Sequence, residues 1–180
     1  MSKVYIGIDP GTKGGIAILT GVLNHIHPMP IWEGKIDTEK LARLLFENNG
    51  GEDVVIIVED VHAIFGASAK STFNFGWICA QIHEVVYSGF TEVSNVHYIQ
   101  PKVWQKEVWI ESDIVREPTK RVAKKTGLLI QKIDTKKTSF NACKRIFPLI
   151  NVPTTPKSKV PHDGIIDALL IAEYGRRTYA

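Results

Sequence analysis

The sequence predicts an α/β protein in which a mixed five-stranded sheet, with three antiparallel strands followed by parallel strands, is flanked by helices. Three observations indicate this. The first third of the chain alternates short apolar runs with Gly-rich turns, as an antiparallel meander does. Residues 54–58 are continuously apolar and β-branched, which is typical of a central strand. Helical patterns separate and follow the later strands.

The predicted elements follow in order along the chain. The predicted strands are residues 4–8, 16–19, 24–31, 54–58 and 96–99. A helix is predicted from an N-cap at Asp37 or Thr38 to the stop signal at residues 48–51. Residues 62–76 are predicted as a loop that merges into a helix ending near Tyr87. Further helices are predicted over residues 102–147, starting at Thr119 and at Thr135 or Thr138, and over about 162–179.

Length and composition favour one domain over residues 1–180, because the apolar content of 44% suffices for a single core. No apolar run approaches the ~20 residues of a membrane helix, and the N-terminus lacks a signal-peptide pattern. We therefore expect a soluble cytoplasmic protein without a membrane partner. Cys79 and Cys143 lack zinc-site spacing and are expected to be reduced thiols.

Charge is distributed unevenly along the chain. Residues 1–99 carry 6 basic and 11 acidic side chains, whereas residues 100–180 carry 16 basic and 8 acidic ones. A basic half can hold a polyanion, so the distribution favours a nucleic-acid enzyme over other enzyme classes.

Four carboxylates stand at positions that favour a shared site. Asp9 and Glu59 each end a predicted buried strand, and Asp163 and Asp167 are four residues apart on the last helix, which places them on one face. An acid at a strand end is more often a turn or cap residue, but this helix face continues into apolar residues and so points inward. Converging acids need a cation between them, so the pattern predicts one or two hard divalent ions used for phosphodiester chemistry.

Four segments together resemble the RuvC family of Holliday-junction resolvases, within the ribonuclease H-like group. They are residues 7–11, residues 58–60, residues 100–106 with Gln-Pro, Trp104 and Lys106, and residues 163–172. The resemblance covers nearly the whole chain in the family's order, and the last segment, continued to residue 177, looks most like the phage-encoded branch. Many family members space the two helix acids three residues apart, whereas here Asp163 and Asp167 are four apart with Gly164 between them.

The resemblance implies a ribonuclease H-like fold and symmetric two-metal hydrolysis of four-way or branched DNA. Asp9, Glu59, Asp163 and Asp167 would hold two Mg²⁺ ions, or Mn²⁺ in their place, about 3.5–4 Å apart. One ion would prepare a water nucleophile, and the other would stabilise the leaving 3′ oxygen. Because two symmetric nicks need two active sites, a C2 homodimer is expected. A phage-encoded protein would work in the host cytoplasm.

Candidate DNA-binding residues lie in the loop after Glu59 and in the basic half. Hydroxyl, amide and lysine groups of the loop can bond phosphates, and His62 or Phe65 can wedge against bases at the crossover. The predicted set is His62, Phe65, Ser68, Lys70, Ser71, Thr72, Asn74, Lys102, Lys106, Lys120, Arg121, Lys136 and Lys137. We interpret Phe73, Phe75 and Trp77 as helix-core residues, and Trp77, Ile78, Ile82 and Val85 as either core or dimer interface.

Other readings of the same residues remain open. Gly11, Gly14 and Gly15 resemble the phosphate loop of sugar kinases, but such enzymes repeat the unit in two domains, so a tight turn and no nucleotide cofactor are predicted. His25 and His27 lack a third metal ligand, and His162 either caps the last helix or assists catalysis. The competing functions are a ribonuclease H-like enzyme acting on RNA–DNA hybrids or flaps and a non-catalytic junction-binding protein.

Overall fold

A five-stranded sheet forms the centre of the computed structural model, which describes residues 3–20, 24–47, 53–61, 66, 68–89, 95–122, 127–155 and 159–180. Its strands are β1 (Lys3–Asp9), β2 (Gly15–Leu19), β3 (Asn24–Pro28), β6 (Asp53–Glu59) and β7 (Val96–Ile99). They lie in the order β3-β2-β1-β6-β7, in which β1, β2 and β3 are antiparallel and β6 and β7 continue the sheet in parallel with β1. The predicted mixed five-stranded sheet is therefore confirmed.

Helices cover both faces of this sheet. They are α1 (Thr38–Glu47), α2 (Ala69–Gly89), α3 (Pro101–Val108), α4 (Thr135–Ile146) and α5 (Asp163–Thr178). Side chains alternate along β1, so Val4, Ile6 and Ile8 pack with α1 and α2, whereas Tyr5 packs in the second core with α3, α4 and α5. None of the helices in the described ranges is both long and apolar enough to cross a membrane.

Helix α5 is the most deeply buried helix in the described part of the chain. Residues 164–166 and 168–175 are all buried, including Glu173, whose carboxylate accepts hydrogen bonds from Arg176 and Arg177. The helix packs across β1, β2 and β6 and contacts α3 and α4. Because α5 fills the centre of one face of the sheet, it places its N-terminal end against the ends of β1 and β6.

Helix α1 begins where the sequence indicates. The Lys40 N–H donates to Asp37 Oδ1 at 3.0 Å, so Asp37 is the cap and Thr38 is the first helical residue. Before this helix, the predicted third strand ends early, at Pro28, and a small hairpin follows that the sequence analysis missed, with strands β4 (Ile31–Trp32) and β5 (Lys35–Ile36).

The prediction of continuous helix after Lys102 was wrong for residues 116–122 and 129–133. These residues form a two-stranded antiparallel ribbon of β8 (Arg116–Val122) and β9 (Leu129–Ile133). Thr119 lies inside β8 rather than at a helix start, and α4 is capped by Asp134, whose Oδ1 accepts from the Lys137 N–H. An exposed ribbon has no buried face, so its sequence lacks the alternation by which a strand is recognised.

Candidate functional site

The register of the sheet brings the first two predicted acids together. In the parallel pair β1 and β6, Lys3 pairs with Asp53 and Ile8 with Val58, and one further step of this register sets Asp9 beside Glu59. Strand alternation places both side chains on the face that α5 covers, together with Tyr5 and Val55. Since β1 lies in the middle of the sheet, Asp9 occupies the central position of the group.

The two helix acids reach the same place because α5 begins there. His162 caps the helix, with Nδ1 accepting a hydrogen bond from the Ile165 N–H at 3.3 Å, which accounts for this histidine as a capping residue. Gly164 then contacts the turn between β1 and β2 directly and forms a backbone bridge with Gly14. A Cβ on Gly164 would lie 2.3 Å from the Lys13 carbonyl oxygen, so only glycine permits this approach.

The glycines of this turn have two different roles. Gly11 adopts a φ of 129°, where other residues are strained, as the sequence predicts. Gly14 and Gly15 do not have positive φ and instead leave space, because a Cβ on Gly15 would lie 2.6 Å from the Gly164 carbonyl oxygen. The turn therefore joins the end of β1 to the start of α5 and fixes Asp9 relative to Asp163.

Burial and mutual repulsion raise the pKa values of two of these carboxyl groups. The pKa of Asp9 lies well above its ordinary value because the group is buried and because Asp167, Glu59 and Asp163 repel its charge. Burial raises the pKa of Asp167 to about 7, against a hydrogen bond from Ser139 that lowers it, and the charges of Glu59 and Asp163 add to the rise. The four carboxylates thus lie within electrostatic reach of one another.

Protein donors engage the other two acids. Burial raises the pKa of Glu59, and the Trp104 indole opposes this by donating from Nε1 to Glu59 Oε1 at 2.8 Å. Burial also acts to raise the pKa of Asp163, but Lys136, with Nζ 2.5 Å from Oδ2, outweighs it and lowers that pKa below its ordinary value. Trp104 and Lys136 therefore hold these carboxylates in place, and Lys136 favours the charged form of Asp163.

The donor set fits a hard divalent cation. Asp167 Oδ1 is buried and has no hydrogen-bond partner, and an oxygen in this state is stabilised by a cation. In the described ranges, however, no three or more His, Cys, Asp or Glu side chains are grouped so that they could hold a metal ion together.

Asp9, Asp163 and Asp167 lie on the wall of an open cleft of about 960 Å³. The turn after β1 forms one side, the tip of the β4–β5 hairpin another, and the N-terminal half of α2 the third. The α2 residues that line it are Ser71, Phe73, Asn74, Phe75, Trp77, Ile78 and Gln81.

The aromatic residues of α2 differ from our expectation. Phe73 and Trp77 are 68% and 57% exposed, so the interpretation of these two as core residues was wrong, whereas Phe75 is partly buried. The inward face of the helix is formed by Ile78, Ile82 and Val85, which pack against the sheet. Phe73 and Trp77 lie about one turn apart on another face, where they line the cleft.

The predicted DNA-binding residues of the loop and of α2 have different surroundings. Ser71 and Asn74 line the cleft, while Ser68 caps α2 by accepting from the Ser71 N–H at 3.1 Å. The Thr72 hydroxyl donates to the Ser68 carbonyl oxygen, and Lys70 is exposed on the first turn of α2. His62 and Phe65 lie outside the described residues.

The predicted basic residues are all exposed and occupy three elements. Lys102 and Lys106 lie on α3, on the side opposite to Trp104, and Lys120 and Arg121 lie on β8. Lys136 pairs with Asp163 as described, whereas Lys137 pairs with Glu117 and Asp134. Lys136 is the basic residue of this set that contacts one of the four acids.

Sequence analysis missed several residues of the cleft. Glu33, Gly34 and Lys35 at the tip of the β4–β5 hairpin line the cleft. The glycine at position 34 is a turn signal in the sequence, and in the structure it adopts a positive φ. Gln81 also lines the cleft with a buried Oε1 that has no partner. A glutamine inside a helical pattern gives no sequence signal of such a role.

Comparisons with known proteins identify the fold. No protein-family model matches the chain, and no curated protein matches it. Among solved structures, RuvC of T. thermophilus in complex with a Holliday junction substrate is similar with a TM-score of 0.58 and 12% identity, covering 98% of this chain and 95% of that one. The structure "Thermus thermophilus RuvC structure" gives a TM-score of 0.54 and 13% identity, covering 99% and 97%. The chain therefore has the ribonuclease H-like fold of RuvC.

Proposed function

We propose that this protein is a metal-dependent, structure-selective endonuclease that resolves four-way and other branched DNA by phosphodiester hydrolysis. The observation that carries the proposal is the placement of Asp9, Asp163 and Asp167 on the wall of one open cleft, with the unpartnered Oδ1 of Asp167 among them. Glu59 ends the strand beside that of Asp9. The fold adds support, because a RuvC with this fold has been determined with a Holliday junction substrate.

Asp9, Glu59, Asp163 and Asp167 would hold Mg²⁺ or Mn²⁺, with Asp9 as the central ligand because it ends the central strand. Bound ions supply an activated water and neutralise charge on the scissile phosphate and the leaving oxygen. Trp104 fixes the orientation of Glu59 through its hydrogen bond. Lys136 neutralises Asp163 in this structure, and it would be free to bond a phosphate oxygen once that carboxylate takes another partner.

The substrate we infer is DNA with closely spaced phosphates near a branch. Ser71 and Asn74 on the cleft wall offer a hydroxyl and an amide to phosphate oxygens, and the exposed Lys102, Lys106 and Lys120 add positive charge outside the cleft. Binding should weaken steeply with salt, because each neutralised phosphate releases a counterion. The placement in the phage-encoded branch and in a host cytoplasm rests on the sequence resemblance.

A C2 homodimer is part of the proposal, since paired nicks on opposite strands need two sites. Ile82 and Val85 belong to the core, and Ile78 packs partly against it, so core packing explains these three without an interface. Trp77, the fourth residue predicted for either the core or the dimer interface, is more than half exposed and is accessible to a second copy of the chain.

Cleavage of defined substrates tests the proposal. Labelled four-way, Y-shaped, flap, linear duplex and RNA–DNA hybrid substrates are incubated with protein and Mg²⁺, Mn²⁺ or chelator. We expect symmetric nicks in the four-way junction that require the metal. Preferred cutting of hybrids or flaps would favour the ribonuclease H-like alternative, and tight junction binding without any cutting would favour a non-catalytic binder.

A matched pair of variants connects the activity to the carboxylates. Asp9→Asn should lower cleavage by more than about 100-fold while junction binding persists, because it removes the central ligand. Asp53→Asn makes the same change at the opposite, exposed end of β6 and should cleave like the unchanged protein. Full cleavage by Asp9→Asn would refute the assignment of the site.

A further inference from the structure

The ribbon of β8 and β9 is an exposed element without a core of its own. Every residue of its 7-residue and 5-residue strands is exposed except Thr119, which is partly buried. Two-stranded ribbons are at best marginally stable in water unless another surface covers them. A surface that binds this ribbon would therefore also stabilise it, and the chemistry of its side chains indicates what that surface is.

The charged side chains of the ribbon that have no ion-pair partner in the described part of the chain are all positive. Lys120, Arg121 and Lys132 have no ion-pair partner among the residues that the structure describes. The acid of the ribbon, Glu117, is already neutralised by Lys137 of α4. Three unneutralised cations on so small an element favour a polyanionic partner.

Apolar side chains lie next to these cations. Val122 pairs with Leu129 across the ribbon, so the two share one face, and they are 55% and 49% exposed. Ile133 lies on the same face and is 38% exposed. DNA grooves accept this combination, because a two-stranded ribbon fits the major groove and minor-groove proteins place cations beside apolar wedges.

The ribbon starts at the rim of the acidic cleft. Asp134 follows β9 directly and caps α4, and Lys136 in the first turn of that helix contacts Asp163 on the cleft wall. At about 3.3 Å per residue, β8 spans about 23 Å, or roughly two-thirds of the ~34 Å helical turn of DNA. Duplex that enters the cleft would therefore have the ribbon within reach.

We propose that the β8–β9 ribbon is a DNA-binding arm that lies in a groove of the duplex beside the cleaved strand. The arm contacts phosphates through Lys120, Arg121 and Lys132 and the groove through Val122 and Leu129. This inference rests on the proposed function and deepens it, because it assigns the contact with one duplex arm of the branched substrate to a specific element.

Salt dependence of binding tests the charged part. Binding of a fluorescent four-way junction is measured in chelator, so that no cleavage occurs, over a range of salt concentrations. The double variant Lys120→Gln/Arg121→Gln should reduce the slope of log K against log salt by about 1.8, at ~0.9 per phosphate contact. At 0.15 M salt this corresponds to up to roughly 30-fold weaker binding.

A second double variant provides the matched control. Lys40→Gln/Lys144→Gln also removes two exposed positive charges, on α1 and on the last turn of α4. It should leave the slope unchanged within error. Because all four substituted side chains are exposed, both double variants should melt at the temperature of the unchanged protein. Equal slopes for the two double variants would overturn the proposal.

Substitution of the apolar face distinguishes DNA from a second copy of the chain as its partner. Val122→Asn/Leu129→Asn should weaken junction binding about 10-fold while the sedimentation coefficient stays unchanged. A shift to a smaller species without DNA would show instead that this face joins two copies, and would overturn the groove contact. If the unchanged protein bound no branched DNA, the proposed function would fail together with this inference, whereas wild-type cleavage by all ribbon variants would refute the arm alone.

Discussion

Gly164 gives the sharpest test of how the fold positions the acids. It lies between Asp163 and Asp167 and contacts the turn after β1 backbone to backbone. In Gly164→Ala the new Cβ would lie 2.3 Å from the Lys13 carbonyl oxygen and 2.7 Å from the Gly14 Cα atom. Both neighbours are backbone atoms, so neither can rotate away, and α5 must shift by about 1 Å to restore an ordinary contact.

The expected change in the free energy of unfolding of Gly164→Ala follows from two opposing effects. Overpacking of this kind costs about 1–3 kcal/mol, and contacts this short put the cost near the upper end. Replacing a helical glycine by alanine raises the free energy of unfolding by up to about 1 kcal/mol, because alanine has the higher helix propensity. The net loss in the free energy of unfolding is therefore about 2 kcal/mol, which lowers the melting temperature of a chain of this size by about 4–8 °C. A 1 Å displacement of Asp163 relative to Asp9 should also slow cleavage by about 100-fold.

Urea unfolding and junction cleavage measure these two effects separately. Gly76→Ala is the control, because it makes the same substitution inside α2 where a Cβ would meet nothing within 4 Å. It should stabilise the protein by up to about 1 kcal/mol. A Gly164→Ala variant with unchanged stability and full cleavage would refute the account of the turn and α5 as one positioning unit.

Three further substitutions test individual contacts. Trp104→Phe removes the indole donor to Glu59, so we expect a loss of about 1–3 kcal/mol in urea unfolding and a roughly 10- to 100-fold slower cleavage; unchanged cleavage would contradict a positioning role. Asp113→Asn should cost about 2–3 kcal/mol at pH 7, because Arg145 loses its buried partner while about a third of that arginine stays exposed. Burial acts to raise the pKa of Asp113, but the hydrogen bonds and charge of Arg145 outweigh burial, so the pKa lies below the ordinary 3.8. The ion pair therefore stabilises the protein fully above about pH 3.8, and the difference in unfolding free energy between the variant and the unchanged protein should shrink as the pH falls further. A difference that does not depend on pH would contradict this. Glu173→Gln should cost about 2–3 kcal/mol in thermal unfolding, because two arginines lose a buried acceptor and one of them is more than half exposed, and an unchanged melting temperature would contradict it.

The sheet, and with it the placement of Asp9 and Glu59 at the ends of neighbouring strands, could be predicted because burial leaves a strong pattern. Strands β1 and β6 are apolar on both faces and each ends in an acid, so both the elements and the position of Asp9 and Glu59 at one edge follow from the sequence. Helical geometry alone likewise predicts that Asp163 and Asp167, four residues apart, lie on the same face of the last helix. The contact with Lys136 could not be predicted, because it depends on how α4 packs beside α5.

The elements that were missed are those that bury little. The β4–β5 hairpin has two residues in each strand, too few for an alternating pattern, and the β8–β9 ribbon is exposed on both faces. Phe73 and Trp77 were misplaced for a related reason. Their spacing fits one face of a helix, but the sequence does not reveal that Ile78, Ile82 and Val85 form the face that packs on the sheet.

The burial of α5 has a consequence for how this protein can diverge. Selection for stability and selection for the proposed cleavage would act on the same 16 residues, because the helix that fills one core also carries Asp163 and Asp167. A descendant that lost cleavage would have to keep the helix in order to fold, and it would be free to lose only the acids. Loss of both carboxylates from a related chain that keeps this helix would therefore indicate loss of the proposed cleavage and not loss of the fold.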